Sequence, residues 1–209
     1  MNRRLEDLLK FTEFTNLFAD VKRKTILNKD GSAENNAQHS FQLAIIAWYI
    51  SQKESLKLNI EKLIKYALVH DLVETFSGTF SAYERNKTTQ KIKDESEKKS
   101  LEKIRNDFKE LPDLIDSLNS YLIQQDKESK LIYALDKLIP ILNIELNNHD
   151  FYHTTKTTYE NMIKAKDKKI SRDPTVYKYF KLLIKYLYED SKFFWPANKQ
   201  RDYSNKKYD

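Results

Sequence analysis

Four side chains of the kinds that bind metal ions stand out because the residues around them are apolar at helical spacing. They are two histidines and two aspartates: His39, His70, Asp71 and Asp136. Two imidazoles and two carboxylates suit one divalent transition metal, such as Mn, Co, Fe, Ni or Zn. Such a cation would neutralise both carboxylates, bind a phosphate oxygen and lower the pKa of a nearby water. The alternative is that each is a core side chain satisfied by hydrogen bonds, and spacing alone leaves both interpretations open.

The segment YALVHDLVETFSGT holds two of these residues, and we predict a helix over 59–76 that contains most of it. The helical period puts two apolar and two titratable residues on one inward face: Leu63, Ala67, His70 and Glu74. Asp71 is offset from His70 by about 100° on that helix. Glu74 lies one turn from both, which is close enough to act on a reacting proton. Gly78 is the predicted helix end, since the residue after a helix often needs a positive φ.

Two further helices must bring the other two residues to the same place. We predict a helix over 37–53 in which His39 shares its face with three apolar residues: Leu43, Ile46 and Ile50. A second apolar set in the same segment recurs at i, i+3, i+4 and i+7 and supports the helix: Phe41, Ala44, Ile45 and Trp48. Asp136 lies beside an apolar stripe in a helix predicted over 128–147. Pro140 has no N–H for the carbonyl of that aspartate, so we expect a bend there.

The composition predicts an all-α fold. The chain has 209 residues, is 40% hydrophobic and 33% charged, and contains only 2 glycines and 4 prolines. So few glycines favour long helices joined by short turns over a many-stranded sheet. Further helices are predicted over 3–20, 100–122 (interrupted at Pro112), 150–166 and 174–190. We expect a single compact helical bundle over residues 1–195, with a polar loop between its first two helices, and a polar tail over 196–209.

Charge and cysteine content limit the classes of function. The chain has no cysteine, which excludes disulfides, thiolate catalysis and cysteine-based zinc or iron–sulfur sites. The net charge is +6, but lysines are mixed with acidic residues along the chain, so nucleic acid is not the expected partner. A mild positive field suits a small phosphorylated substrate. We expect a cytoplasmic protein, since no apolar run could span a membrane and the first residues do not resemble a signal peptide.

The order of the candidate ligands, H…HD…D, resembles that of the HD-domain metal-dependent phosphohydrolases. Three stretches carry the resemblance: NNAQHSFQLAIIAWYIS, YALVHDLVETFSGT and ESKLIYALDKLIPIL. They are similar to segments of the YfbR-like 5'-deoxynucleotidases that read "EHS", "HD" followed by a glutamate and "TGD", and "ADKL". The resemblance extends from about residue 20 to about residue 190.

The resemblance implies a helical bundle that holds one divalent metal through the four residues named above. It also implies an enzyme that removes the 5'-phosphate of deoxynucleoside monophosphates. Asp71 would serve catalysis as well as metal binding, and Glu74 would position the attacking water or protonate the leaving 5'-oxygen. Arg23 would hold the phosphate, or Lys24 if the loop aligns one residue differently. A planar, permanently charged guanidinium makes arginine the better clamp. Family members are often dimers, so a homodimer is also an expectation.

Two departures from the family pattern leave the activity open. Thr79 stands where the resembled enzymes have an aspartate beside the catalytic site, and a threonine hydroxyl is not a base at neutral pH. No aromatic residue follows Arg23, since Thr25 or Ile26 takes that place. The substrate would then differ, the activity would be reduced, or Glu84 would supply a carboxylate. The alternatives to a monophosphatase are a nucleoside triphosphate-cleaving HD hydrolase, a non-catalytic nucleotide-binding HD module and, ranked lower, a basic nucleic-acid binder.

Three other features are given ordinary structural interpretations. His149 and His153 have a spacing that could bind metal, but their segment lacks an apolar face, so surface histidines are expected. The charge-rich stretch TTQKIKDESEKKSLEKIR is expected to be a solvated helix, with a lid over the site as the alternative. The apolar FFW before Pro196 is a candidate contact between two copies of the chain.

Overall fold

The computed structural model describes residues 2–78, 87–189 and 193–195, and side chains at all of these positions except 24–27 and 87–89. Several positions raised by the sequence lie outside this part of the chain: Thr79, Glu84, the tail 196–209 and the side chain of Lys24. Most of the described residues are helical, so the predicted all-α class is confirmed.

The helices follow one another with short connections. They are α1 (Arg3–Asp20), α2 (Asn36–Lys53), α3 (Ile60–Val69), α4 (Glu74–Ser77), α5 (Lys87–Asp107), α6 (Pro112–Ile123), α7 (Lys127–Asn147), α8 (Phe151–Thr154), α9 (Tyr159–Ile170) and α10 (Pro174–Glu189). Polar side chains accept first-turn N–H groups at the starts of α2, α3, α7 and α9, from Asn35, Asn59, Asp126 and Thr158. Such caps satisfy donors that a helix start otherwise leaves unpaired. The interruption expected at Pro112 is the start of α6.

The polar loop expected between the first two helices is instead a β-hairpin. Strand β1 (Lys22–Leu27) pairs antiparallel with β2 (Ala33–Asn35), and Gly31, with a φ of 81°, lies in the turn between them. Composition did not reveal this hairpin, because a single glycine is enough to permit its turn. Strand β1 lies against α7 and strand β2 against α2, and one side chain from each, Arg23 and Glu34, reaches the centre of the bundle.

The helix predicted for the HD segment ends earlier than expected. Helix α3 stops at Val69, and residues 70–73 form a turn before the short helix α4. A backbone bond in this turn spans only three residues, since the Glu74 N–H donates to the Asp71 carbonyl at 2.8 Å. His70 and Glu74 therefore belong to different elements, and the prediction that they share a face of one helix is wrong.

Two helix features were predicted at Gly78 and Pro140. Gly78 ends α4 with a φ of 71°, and its N–H donates to the Glu74 carbonyl at 2.8 Å, as expected for a helix end. Helix α7 runs unbroken through Pro140, so the missing N–H does not end the helix. A bend at Asp136 stays a prediction.

Helix α2 buries one of its two apolar sets and exposes most of the other. Leu43, Ala47 and Ile50 are buried beside His39. The second set is largely in solvent, with Phe41 68%, Ile45 46% and Trp48 50% exposed, while Ala44 is buried. The buried face carries Ala44 and Ala47, whose small side chains let α3 pack closely against α2. Within the described ranges, no helix combines the length and apolar character that crossing a membrane requires.

The apolar segment before Pro196 packs within the chain itself. Phe193 and Phe194 are 0% and 3% exposed, and their rings contact Tyr152 at centroid distances of 5.2 and 5.1 Å. The Trp195 N–H donates to the Thr157 carbonyl at 3.1 Å. The two phenylalanines therefore complete the bundle core, and the expectation that this segment is a contact between copies is wrong for them. The helix expected over 150–166 is divided into α8 and α9.

Candidate metal centre

The four candidate ligands converge from three parts of the fold. Helix α2 carries His39, the turn after α3 carries His70 and Asp71, and α7 carries Asp136. Each offers one nitrogen or oxygen atom, and these four atoms all lie within 4.8 Å of one another. They are the one such group found in the part of the chain that the structure describes. Four donors this close, of these chemical types, match the requirements of a single divalent cation.

The protonation of His70 suits a metal ligand. Its Nδ1 is 2.9 Å from the Ala67 carbonyl, which can only accept, so Nδ1 carries the proton. The bond lies where α3 ends, since the same carbonyl would face the N–H of residue 71 in a continuing helix. The buried Nε2 has no hydrogen-bond partner within the described chain, although Asp71 Oδ2 is 3.0 Å away. A cation between these two atoms would satisfy both.

His39 has a carboxylate on each side of its ring. Its Nε2 is 3.1 Å from Asp136 Oδ1, and its Nδ1 is 3.4 Å from Glu34 Oε2. That Nδ1 and that Oε2 are both buried without a hydrogen bond in the described structure. If Nε2 binds a cation, the proton must sit on Nδ1, where Glu34 can accept it and orient the ring. Metal binding at Nε2 would therefore give His39 Nδ1 and Glu34 Oε2, which lack a hydrogen bond, a bond to each other.

Glu34 is a site residue that the sequence did not reveal. It is 3% exposed, and its Oε1 accepts a hydrogen bond of 3.1 Å from Asn143 Nδ2. Gln42 holds that asparagine, with Nε2 donating to Asn143 Oδ1 at 3.0 Å. In the sequence Glu34 stands in a polar stretch with no apolar period around it, so only the hairpin shows that it points inward.

Arg23, the predicted phosphate clamp, lies among the carboxylates of the centre. Its Nη1 donates to Asp71 Oδ2 at 2.8 Å, its Nε is 3.3 Å from Glu34 Oε2, and its Nη2 is 3.7 Å from Asp136 Oδ1. The guanidinium thus neutralises charge that a cation would otherwise take. The Lys24 side chain, the other candidate clamp, lies outside the described part.

Glu74 lies beside the ligands in a different protonation state. Burial, and then the charge of Asp71, raise the pKa of Glu74 to about 8. Asn36, which is fully buried, donates from Nδ2 to Glu74 Oε2 at 3.0 Å and fixes the carboxyl group. Burial also acts to raise the pKa of Asp71, but interactions with the adjacent His70 ring and the Arg23 guanidinium outweigh it, so that pKa lies below its usual range. The site therefore pairs a protonated acid with an ionised one.

Lys137 is another residue of the centre that sequence reasoning missed. Its ammonium bonds Asp136 Oδ2, on the carboxylate whose other oxygen faces His39 and Arg23. In the sequence it was one lysine among many, and the only signal was its place next to Asp136 in ALDKL. The two histidines interpreted as surface residues are not in the ligand group; the His149 side chain is 47% exposed, and His153 is partly buried.

Comparisons with known proteins identify the family and the fold. The family model described as "HD domain" matches residues 18–176. No curated protein matches the chain. A structure from Magnetospirillum magnetotacticum MS-1, described as a predicted metal-dependent phosphohydrolase, has a TM-score of 0.76 at 20% identity and covers 92% of this chain and 96% of that one.

Two other solved structures are similar in fold. An HD-domain phosphohydrolase from Listeria innocua has a TM-score of 0.58 at 15% identity, covering 88% of this chain and 87% of that one. A conserved hypothetical protein from Pyrococcus furiosus has a TM-score of 0.53 at 23% identity, covering 87% of this chain and 99% of that one. At these identities the likeness shows the fold. The family match spans residues 18–176, which is more than half of the chain, and the protein therefore belongs to the HD-domain family.

Proposed function

We propose that the protein is a metal-dependent phosphohydrolase of nucleotides that removes the 5'-phosphate of deoxynucleoside monophosphates. The observation that carries the proposal is the convergence of four ligand-type side chains with Arg23 and Glu74 around one point. These groups together can hydrolyse a phosphomonoester: a cation and a positive clamp stabilise the charge on the phosphoryl oxygens, and a proton-transfer group serves the leaving oxygen.

The ligands would be the two histidines and two aspartates of the centre, which suit Mn, Co, Fe, Ni or Zn. A bound divalent cation supplies charge for the phosphoryl oxygens and activates water. Asp71 and Asp136 would then turn their charge toward the cation, leaving N–H donors of Arg23 for the phosphoryl oxygens. Asp71 would keep one end of that arginine in place, so it would serve both metal binding and substrate positioning.

Glu74 would transfer the proton. Because its pKa is raised to about 8, the side chain is protonated at neutral pH and can donate to the leaving 5'-oxygen. Asn36 holds the carboxyl group in one orientation, which limits the proton transfer to one direction. This favours the leaving-group role of Glu74 over the water-positioning role, both of which the resemblance allowed.

The similar structures support the reaction class. Two of them are described as phosphohydrolases, and one of these as metal-dependent. The restriction to deoxynucleoside monophosphates rests on the resemblance of the HD and ADKL segments to the YfbR-like enzymes.

Phosphate release tests the proposal directly. The purified protein would be loaded with Mn or Co and incubated with nucleoside mono-, di- and triphosphates. We expect phosphate from deoxynucleoside monophosphates, and none from the Asp71→Ala variant. Release of pyrophosphate or triphosphate would assign the protein to the triphosphate-cleaving class instead. No release from any substrate, with metal bound, would contradict an enzymatic function.

The non-catalytic alternative is motivated by Thr79, where the resembled enzymes carry an aspartate. A nucleotide-binding module would show nucleotide-dependent thermal shifts without turnover. If Thr79→Asp then gained activity, the natural protein would be a weakened enzyme and not a dedicated binder.

We also propose a nucleotide as the small-molecule partner, a cytoplasmic location and a homodimer. The dimer is tested by the molar mass of the protein in solution, where a monomer at micromolar concentration would contradict it.

A further inference from the structure

A lysine occupies the middle of an otherwise apolar stripe on α9. The residues that this helix buries recur at helical spacing: Tyr159, Met162, Lys166 and Ile170. Lys166 is only 6% exposed, whereas Lys164 and Lys168 on the same helix are exposed. Helix α9 packs against α7, the helix that carries Asp136. The side chain of Lys166 therefore points toward the helix that supplies a metal ligand.

Lys166 has no partner for its charge. Within the described part of the chain, its ammonium makes neither a hydrogen bond nor an ion pair. Burial first, and then repulsion by Lys137, lower its pKa to about 7, while Asp136 acts in the opposite direction. Lys137 and Asp136, which act on this pKa, both lie on α7, the helix against which α9 packs.

The other cations of the centre differ from Lys166 in this respect. Arg23 lies against Asp71 and Glu34, and Lys137 bonds Asp136. Each of these two cations balances a carboxylate of the protein itself. Lys166 balances none in the described structure, although it is the most buried of the three. A buried lysine without a counter-charge either loses its proton or pairs with an anion from outside the chain, and a lysine that faces the helix of a metal ligand is placed for such an anion.

We propose that Lys166 binds the phosphoryl group of the substrate, and the phosphate released from it, beside the metal centre. This inference rests on the proposed phosphohydrolase function and adds a contact from α9 to those expected from the cation and Arg23. A divalent cation, Arg23 and Lys166 together would surround a phosphomonoester dianion with positive charge. The long flexible stem of lysine suits it to follow the phosphoryl oxygens as a point charge.

Methionine would fit position 166 better if the position served packing alone. It has a similar unbranched stem, and it would continue the stripe between Met162 and Ile170 without burying a charge. Lys166→Met should therefore unfold at the same temperature as the natural protein or at a higher one. This makes it a suitable test variant, because loss of binding could not be attributed to loss of the fold.

Inorganic phosphate is the probe, titrated calorimetrically into the Mn-loaded full-length protein. Lys166→Met should weaken phosphate binding roughly 10- to 100-fold, the range for one hydrogen bond to a charged group. Lys166→Arg should retain most of the affinity. The exposed Lys164→Met is the matched control and should bind phosphate like the natural protein. Mn affinity should be equal in all four proteins.

The outcome is independent of turnover. If Lys166→Met binds phosphate as tightly as the natural protein, or if the natural protein binds no phosphate, the subsite is wrong. Nucleotide hydrolysis by the natural protein together with unchanged phosphate affinity of the variant would remove this inference and leave the proposed function standing. Phosphate binding through Lys166 without hydrolysis of any nucleotide would leave this inference standing and contradict the proposed function.

Discussion

Glu74 lies beside the metal ligands without being one of them, so its replacement should separate chemistry from metal binding. In Glu74→Gln the amide keeps the shape of the side chain and the contact with Asn36, but it has no proton to transfer. We expect kcat to fall about 10²- to 10⁴-fold, as for the loss of a general acid. Mn affinity should be unchanged. Wild-type turnover by Glu74→Gln would remove this residue from the mechanism.

Glu34 should act through His39 and not on the substrate. In Glu34→Gln the group facing His39 Nδ1 loses its charge, and Arg23 loses one of its carboxylates. Mn affinity should fall about 10- to 100-fold, which is typical for partners of metal-bound histidines. The exposed Glu13→Gln provides a control of equal charge change. Equal Mn affinity in both variants would contradict a role for Glu34 in positioning His39.

The residues that the sequence identified share one property. His39, His70 and Asp136 stand out because polar side chains interrupt an apolar period. Glu34 is also buried, but it stands in a polar stretch where a titratable residue gives no signal. Lys166 does interrupt an apolar period, between Met162 and Ile170, but it was not singled out because lysines surround it in the sequence. Their burial depends on the hairpin and on the packing of α9 against α7, which are tertiary features.

The elements differ from the sequence predictions mainly where side chains compete with the backbone. Long helices such as α1 and α7 were predicted to within a residue or two, because each has a steady apolar period. The turn at 70–73 was missed; at this point the His70 ring bonds the Ala67 carbonyl, a local contact that the apolar period does not show. Helix propensity alone continues through that stretch.

Asp126, the N-cap of α7, should contribute to stability in a pH-dependent way. It accepts from the Ser129 N–H at 2.7 Å and the Tyr66 hydroxyl at 2.8 Å, and it pairs with Lys62. Asp126→Ala should lower the free energy of unfolding at pH 7 by about 1–2 kcal/mol, the range for loss of a strong cap. Urea unfolding followed by circular dichroism measures this difference.

The pH dependence of that difference follows from the pKa of Asp126. Burial acts to raise it, but the Lys62 and Ser129 hydrogen bonds prevail and lower it to about 2. The folded pKa is thus below the unfolded value near 4, so the contribution is complete above about pH 4 and is lost as pH falls toward about 2. The gap between natural protein and Asp126→Ala should close over that window. A gap that stays constant would contradict the ionised cap.

At the scale of the whole molecule, the bundle joins three helices and a hairpin around one cluster of charge. The fold class followed from the scarcity of glycine and the helical periods. The sequence did not show which face of α2 is buried, because both faces carry apolar residues. Packing against α3 decides between them. Stability should accordingly depend on whether the charges at the centre are balanced.

A cation at the centre should stabilise the entire bundle. Mn at about 100 times its dissociation constant adds roughly 2.7 kcal/mol to the free energy of unfolding. For a domain of this size, Tm should then rise by about 5–10 °C. Differential scanning calorimetry measures the shift, and Asp71→Ala, which lacks a ligand, should show almost none. An equal rise in both proteins would mean that Mn binds elsewhere.

The central claim is that His39, His70, Asp71 and Asp136 hold one divalent cation. Equilibrium dialysis against Mn, followed by elemental analysis, counts the ions bound per chain in the natural protein and in Asp71→Ala. We predict one ion per chain in the natural protein and a loss of tight binding in the variant. No bound ion in the natural protein, or one ion held equally tightly by Asp71→Ala, would contradict the account.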